Sequence, residues 1–219
     1  MHDASPGTVG PVRDPVNTVW TIGHSNHPLE QFLALLSRHR VEVLVDVRSS
    51  PYARYATQFN REAIRPALQE RSIQYLYLGD LLGGRVEDQR FYDAEGRVLY
   101  GRVAQSPGFR EGIERLISGI GRFRVAILCG EEDPTECHRR LLVGRVLRER
   151  GVRVEHIRGD GRIQTEEQLA AEEQFRKTKG QRSLFETEEP AEWKSIQSVL
   201  PKKTQPSSSA PCEGPEFGD

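Results

Sequence analysis

Two cysteines, a histidine, an arginine and four carboxylates fall within one short stretch of this chain: Cys129, Glu131, Glu132, Asp133, Glu136, Cys137, His138 and Arg139. The apolar run Val125-Ala126-Ile127-Leu128 precedes them and an amphipathic run, residues 141–147, follows, so they occupy the loop between a buried strand and a helix start. In a parallel sheet such a loop opens into the crevice at the carboxyl ends of the strands, where α/β proteins bind ligands. Two earlier strand ends carry similar groups. Thr21-Ile22-Gly23-His24-Ser25-Asn26 closes one, and Val45-Asp46-Val47-Arg48, with Arg54 a little beyond, closes the other. Random loop polarity does not require such convergence at one sheet edge.

Several chemistries suit this set. In an acid/base reading, Glu131 or Asp46 is the base and His24 or His138 carries the proton. Arg48, Arg54 and Arg139 then clamp a phosphate, with Ser25 and Cys137 on the substrate side. That reading fits cleavage or transfer on a nucleotide or nucleic acid, where Tyr75, Tyr77, Phe91, Tyr92 and Tyr100 could stack a base; the plainer role of these aromatics is packing. Metal binding could draw sulfur and nitrogen from Cys129, Cys137, His138 and His24, and oxygen from Asp46 or Glu131. The spacing lacks a tight Cys-x2-Cys knuckle, however, and adjacent Cys137 and His138 are expected to point in different directions. No metal is therefore assigned, and the cofactor stays open. A nucleophilic Cys129 is disfavoured by the surrounding carboxylates, which raise a thiol pKa. The purely structural alternative makes Cys129 a buried small residue, Glu131–Arg139 an ion pair, His24 a helix cap and Asp46 a partner of Arg48.

The elements that must position these groups alternate regularly. Strands are expected over residues 18–22, 41–47, 73–78, 124–128 and 152–157, and helices over 28–40, 61–71, 109–120, 136–150 and 164–177. Residues 79–108 are glycine-rich and charged without a period, and read as a long irregular insertion. Strand–helix alternation with nearly all-apolar strands predicts an α/β fold: a single three-layer domain, residues 18–178, on a mostly parallel sheet of about five strands. Residues 1–17 and 179–219, rich in proline, serine and charge, are expected to be disordered tails.

The net charge is -1, yet residues 18–160 hold 22 arginines, no lysine and 19 acidic residues, a local excess of +3. That balance is compatible with phosphate contact and equally with arginine-rich codon usage. No stretch reaches the roughly 20 apolar residues of a membrane span, and no leader pattern opens the chain. Three cysteines make no disulfide framework. A cytoplasmic protein with reduced thiols and no membrane contact is expected.

Taken together, Thr21-Ile22-Gly23-His24-Ser25, Asp46-Val47-Arg48 with Pro51 and Arg54, Leu82-Gly83-Gly84, and Cys129-x-Glu131 with Cys137-His138-Arg139 resemble the bacterial and archaeal family called domain of unknown function 488. The likeness spans roughly residues 18–157 and implies an α/β domain with a polar site. Where that family shows Pro-x-Ser, this chain has Pro51-Tyr52-Ala53. A weaker likeness is to rhodanese and cysteine-phosphatase domains, which also end a strand in Asp-Val-Arg and wrap an anion in a cysteine loop before a helix. Here Cys129 takes the strand-end position, but the loop is acidic and holds no arginine before Arg139.

Gln181-Arg182-Ser183-Leu184-Phe185 resembles the Gln-x-x-Leu-Phe peptide that docks bacterial DNA repair and replication proteins on the sliding clamp. Leu184 and Phe185 would enter an apolar pocket while the Gln181 amide bonds at its rim. Alternatively, the apolar pair packs back on the domain. A labelled peptide of residues 178–190 is expected to bind a bacterial sliding clamp at low micromolar Kd, about -8 kcal/mol. Fluorescence polarisation checks this, and a Leu184→Ala/Phe185→Ala peptide should not bind.

Overall fold

A computed structural model describes residues 17–179 and 192–199. The expectations placed on residues 1–16, 180–191 and 200–219, including the motif at 181–185, lie outside the described residues.

Along the strands, successive apolar side chains turn to opposite faces, and both faces are covered. Val19, Val43, Val45, Val125, Ile127 and Val154 join one buried cluster, while Trp20, Ile22, Leu44, Ala126, Leu128 and Ile157 join the other. The strands are β1 (Thr18–Gly23), β2 (Val43–Asp46), β3 (Gln74–Tyr77), β4 (Val125–Cys129), β5 (Arg153–Ile157) and β6 (Ile163–Thr165). They form one sheet of order β3-β2-β4-β1-β5-β6, parallel except for β6, which runs antiparallel on β5. The sixth strand extends the expected five; at three residues, Ile163-Gln164-Thr165 is too short to show a period.

Helices α1 (Leu29–Arg38) and α2 (Arg61–Glu70) pack Phe32, Leu33, Leu36, Ile64 and Leu68 on the face of Trp20. On the other face lie α3 (Gly79–Leu82), α4 (Tyr100–Val103), α5 (Pro107–Ile120) and α6 (Arg145–Glu149). α7 (Glu166–Lys179) follows β6. The chain therefore leaves β1 toward one face and β4 toward the other, although these strands are neighbours. Such a topological switch point opens a crevice between the two strand ends.

Three expectations change. The helix expected over 136–150 is a 3₁₀ turn (Pro134–Glu136), a π-helical turn (Arg139–Gly144) and then α6. The insertion is less irregular than its sequence suggests. Leu82, Val98, Tyr100 and Val103 are buried through α3, α4 and the stretch before α4, pieces too short to give a period. Finally, residues 192–199, placed in a disordered tail by composition, pack on the domain. Trp193 donates its indole N–H to the Leu141 carbonyl (2.8 Å), sits edge-on to Tyr100 and lies under the Arg145 guanidinium. Ser195 exchanges bonds with Val98 at 2.8 and 2.9 Å. One aromatic anchor and a short backbone pairing outweigh the polar composition of the surrounding stretch.

A buried polar chain crosses the sheet from β1 to α7. Arg139 Nε donates to Thr21 Oγ1 (3.3 Å), which donates to His156 Nδ1 (2.7 Å), and His156 Nε2 donates to Glu166 (2.9 Å). Glu166 also accepts from Arg140 and Arg148 at 3.1 and 2.7 Å. Burial lowers the His156 pKa from 6.5, and the bond to Glu166 only partly offsets this, so the folded chain holds the ring neutral. Burial depresses His24 in the same direction. The unfolded chain takes up these protons first as pH falls, so this stability is complete above about 6.5 and is lost below it. The urea midpoint is expected to hold steady between about pH 8 and 7 and to fall by pH 5.5; a midpoint that rises on acidification would contradict this.

Candidate functional site

The loops after β1 and β4 run side by side beyond the sheet. Gly23 pairs with Cys129 in register, and the His24 and Ser25 amides then donate to the carbonyls of Cys129 (3.0 Å) and Gly130 (2.8 Å). A Cβ on Gly23 would lie 1.8 Å from the Glu131 carbonyl oxygen, so only glycine allows the approach. Beneath the second loop, Arg139 is 1% exposed and gives its two terminal nitrogens to the backbone carbonyls of Glu131 and Glu132. The expected Glu131–Arg139 ion pair is therefore a backbone contact. Arg139 also stands below the loop rather than reaching the cleft as a phosphate clamp.

At the end of β2, Asp46 is fully buried and both its oxygens are engaged. Oδ1 accepts from the Arg48 amide and Nε, and Oδ2 from Arg48 Nη2 (2.6 Å) and the Tyr75 hydroxyl (2.7 Å). Arg48 Nη2 also donates to the Phe59 carbonyl, and Nη1 lies 3.2 Å from His24 Nε2. A guanidinium has no lone pair to offer, so His24 Nε2 accepts and the ring proton is on Nδ1, 2.8 Å from the Ser25 carbonyl. His24 stacks on Phe59 at 4.6 Å. Burial lowers its pKa, in keeping with this neutral tautomer. Asp46 thus fixes Arg48, and Arg48 fixes His24.

At the end of β4, two sulfurs each approach a carboxylate oxygen and an imidazole nitrogen. The Cys129 and Cys137 sulfurs lie 3.2 and 3.1 Å from Glu131 Oε2, and 3.6 and 4.0 Å from His138 Nδ1. His138 Nε2 donates to the Val47 carbonyl (3.0 Å), which aims Nδ1 at the sulfurs. The expectation that Cys137 and His138 point apart is corrected. Cys137 is extended (φ -107°, ψ 138°) and His138 helical (φ -59°, ψ -25°), so the backbone break swings both side chains to one side. Cys137, burial and Glu131 together raise the Cys129 thiol well above its usual range. Burial alone would raise Cys137 too, but the Cys129 thiol, Arg139 and His138 draw it well down. Against the pull of burial, Cys137 raises the pKa of His138. The ligand atoms of Cys129, Cys137 and His138 lie within 4.8 Å of one another and could hold a metal ion.

The profile of a protein family, Domain of unknown function DUF488, matches residues 28–146. The chain belongs to the DUF488 family. Among curated proteins and among solved structures, none matches the chain. The matched span of the DUF488 domain contains Asp46, Arg48 and the whole sulfur cluster; His24 and Ser25 lie just before it.

Around these groups the DUF488 domain opens a cleft of about 1000 Å³, lined by His24, Arg48, Cys129, Glu131, Cys137 and His138 among others. Arg54 and Ser25 are not brought to it. Arg54 is exposed and lies over the Tyr55 ring, and Ser25, at φ 43°, contributes its backbone to the loop pairing. Of the five aromatics offered for base stacking, Tyr100 is buried, and the Tyr75, Tyr77 and Tyr92 hydroxyls bind Asp46, the Ser49 carbonyl and the Val86 backbone. Phe91 and Tyr92 pack on the core. Sequence reasoning missed Arg85, Tyr52 and Ser195–Val199, which line the cleft from the insertion, the loop after β2 and the docked C-terminal segment. Arg85 directly follows the Gly83-Gly84 pair already singled out. Gly84 presses on the His138 ring, which a Cβ would meet at 2.6 Å.

Gly23→Ala is expected to force the two loops apart. Overpacking of this kind costs about 1–3 kcal/mol, measurable by urea denaturation, and should make the Cys129 and Cys137 thiols easier to alkylate.

Proposed function

We propose that the protein is an enzyme of nucleotide or nucleic-acid metabolism, working in the cytoplasm, with the cleft between β1 and β4 as its active site. Its reaction is hydrolysis or group transfer on a phosphate-containing substrate. The observation that carries this reading is the gathering of the Glu131 carboxylate and the His138 imidazole around the Cys129 and Cys137 sulfurs, in an open cleft at the topological switch point. Glu131 is exposed and takes a proton from water or a substrate hydroxyl. Arg85, exposed on the wall and without an ion-pair partner among the described residues, binds the phosphate, and Tyr52 offers an exposed ring for a base. Asp46, Arg48 and His24 position the floor. A thiol enzyme of rhodanese or phosphatase type is disfavoured by the raised Cys129 thiol and by the Glu131 carboxylate, which stands where an anion would bind. Docking of residues 181–185 on a sliding clamp would bring the enzyme to DNA.

The second reading is a non-catalytic nucleic-acid-binding or adaptor module. It draws on the Asp46–Arg48 pair, whose groups are so fully used in shaping a loop that neither is a ready catalyst.

Turnover of nucleotides, phosphoesters and single-stranded oligonucleotides distinguishes the two. Glu131→Gln is expected to cut kcat by about 10²-fold or more with the urea midpoint unchanged, and Arg85→Ala to raise KM at nearly constant kcat. Binding without turnover in the wild type would favour the module.

A further inference from the structure

We propose that Cys129 Sγ, Cys137 Sγ and His138 Nδ1 bind a divalent ion of the zinc class, with the Glu131 carboxylate at the fourth corner. Binding stands on geometry alone; only the use of the ion rests on the active-site reading above.

The distances carry the proposal. Tetrahedral zinc, with Zn–S near 2.3 Å and Zn–N near 2.0–2.1 Å, holds a sulfur and a nitrogen ligand about 3.5 Å apart and two sulfurs about 3.8 Å apart. Here the sulfurs lie 3.6 and 4.0 Å from His138 Nδ1 and 3.2 and 3.1 Å from Glu131 Oε2, and the two sulfurs and Nδ1 fall within 4.8 Å of one another. The two sulfurs and Nδ1 are grouped as three ligands of one ion, and the Glu131 carboxylate, in contact with both sulfurs, would turn to complete the shell.

The surroundings are those of a metal centre. A ligating histidine donates its other ring N–H to a carbonyl or carboxylate, which fixes its tautomer and aim. His138 Nε2 does this with the Val47 carbonyl at 3.0 Å, and Gly84 braces the ring from behind. Arg139 grips the Glu131 and Glu132 carbonyls and so holds the loop that presents the carboxylate. Two thiolates with an imidazole select a borderline-soft ion such as zinc over magnesium or calcium. On binding, the two thiol protons leave to solvent and no electron is transferred.

The fourth corner differs from the other three. Cys129 and Cys137 are buried, whereas Glu131 is exposed and lines the cleft. Catalytic zinc sites keep three protein ligands and an exchangeable fourth position. When Glu131 yields that corner to water or substrate, its carboxylate stays close enough to act as the base, and the ion supplies a Lewis acid.

The test is cobalt(II) titration of the reduced, chelator-stripped full-length protein, read by sulfur-to-cobalt charge-transfer and tetrahedral d–d absorption. Zinc competition and elemental analysis complete it. One ion per chain is expected. Cys137→Ser and His138→Ala should each weaken uptake by more than about 100-fold, beyond the 10–100-fold that loss of an outer-shell partner costs. Cys212→Ser should leave it unchanged. Alkylation of the wild type covers the case in which these variants fail to fold: zinc should shield Cys129 and Cys137 but not Cys212. Absence of uptake, or uptake indifferent to Cys137 and His138, would overturn the proposal. Uptake without turnover of any substrate would support the ion and remove the active-site reading. Turnover that survives stripping of the ion, with uptake intact, would separate the two the other way.

Discussion

A guanidinium cannot be taken out of water without acceptors to replace it, and Arg139, at 1% exposure, finds its acceptors in the structure it supports. Its terminal nitrogens hold the carbonyls of Glu131 and Glu132, and its Nε binds Thr21 on the central strand. The loop that carries the carboxylate is thereby fixed to the sheet from below. Thr21 passes the constraint to His156 and Glu166, and Glu166 gathers Arg140 and Arg148. One buried cation thus links the loop after β4, β1, β5 and α7. Removing it would leave the loop carbonyls and the Thr21 hydroxyl without their donor.

A second buried pair does the corresponding work on the other side of the crevice. Asp46 and Arg48 satisfy each other, and what remains of the guanidinium sets the tautomer of His24 and ties the Phe59 carbonyl. Such a pair is weak evidence for net stability; what it visibly does is fix the shape of the loop after β2. Between the two cations, β1 and β4 send their chains to opposite faces, and the polar groups meet where the sheet parts.

The fold was legible because its strands are buried on both faces. Val43-Leu44-Val45 and Val125-Ala126-Ile127-Leu128 can be little else, and the helical spacing at Phe32, Leu33, Leu35 and Leu36 sets the alternation. What escaped was short or non-local. β6 pairs three residues, and α3 and α4 have one turn each. The site was legible as a list of residues at strand ends but not as a geometry. Whether Cys137 and His138 converge depends on a change of backbone region between adjacent residues, which residue types do not specify. The Asp46–Arg48 pairing is a local one that residue types suggest, whereas the Tyr75 hydroxyl that completes it and the Thr21 contact that turns Arg139 inward come from far away in the chain. Arg85 gave no signal beyond its place after two glycines, because a cleft wall is made by the path of the insertion and not by a pattern within it.

The docking of Trp193 and Ser195 bears on where this domain ends as a physical object. Among the described residues α7 is the last helix or strand, which invites a boundary just past it, yet Ser195–Val199 forms part of the cleft wall. A chain cut after α7 would keep every described strand and helix while opening one side of the crevice and uncovering the apolar seat of the Trp193 ring beside Tyr100. The packed unit is therefore longer than the secondary structure that defines it, and its last piece is held by one indole, the Lys194–Asp93 ion pair, and bonds from Ser195, Ser198 and the backbone.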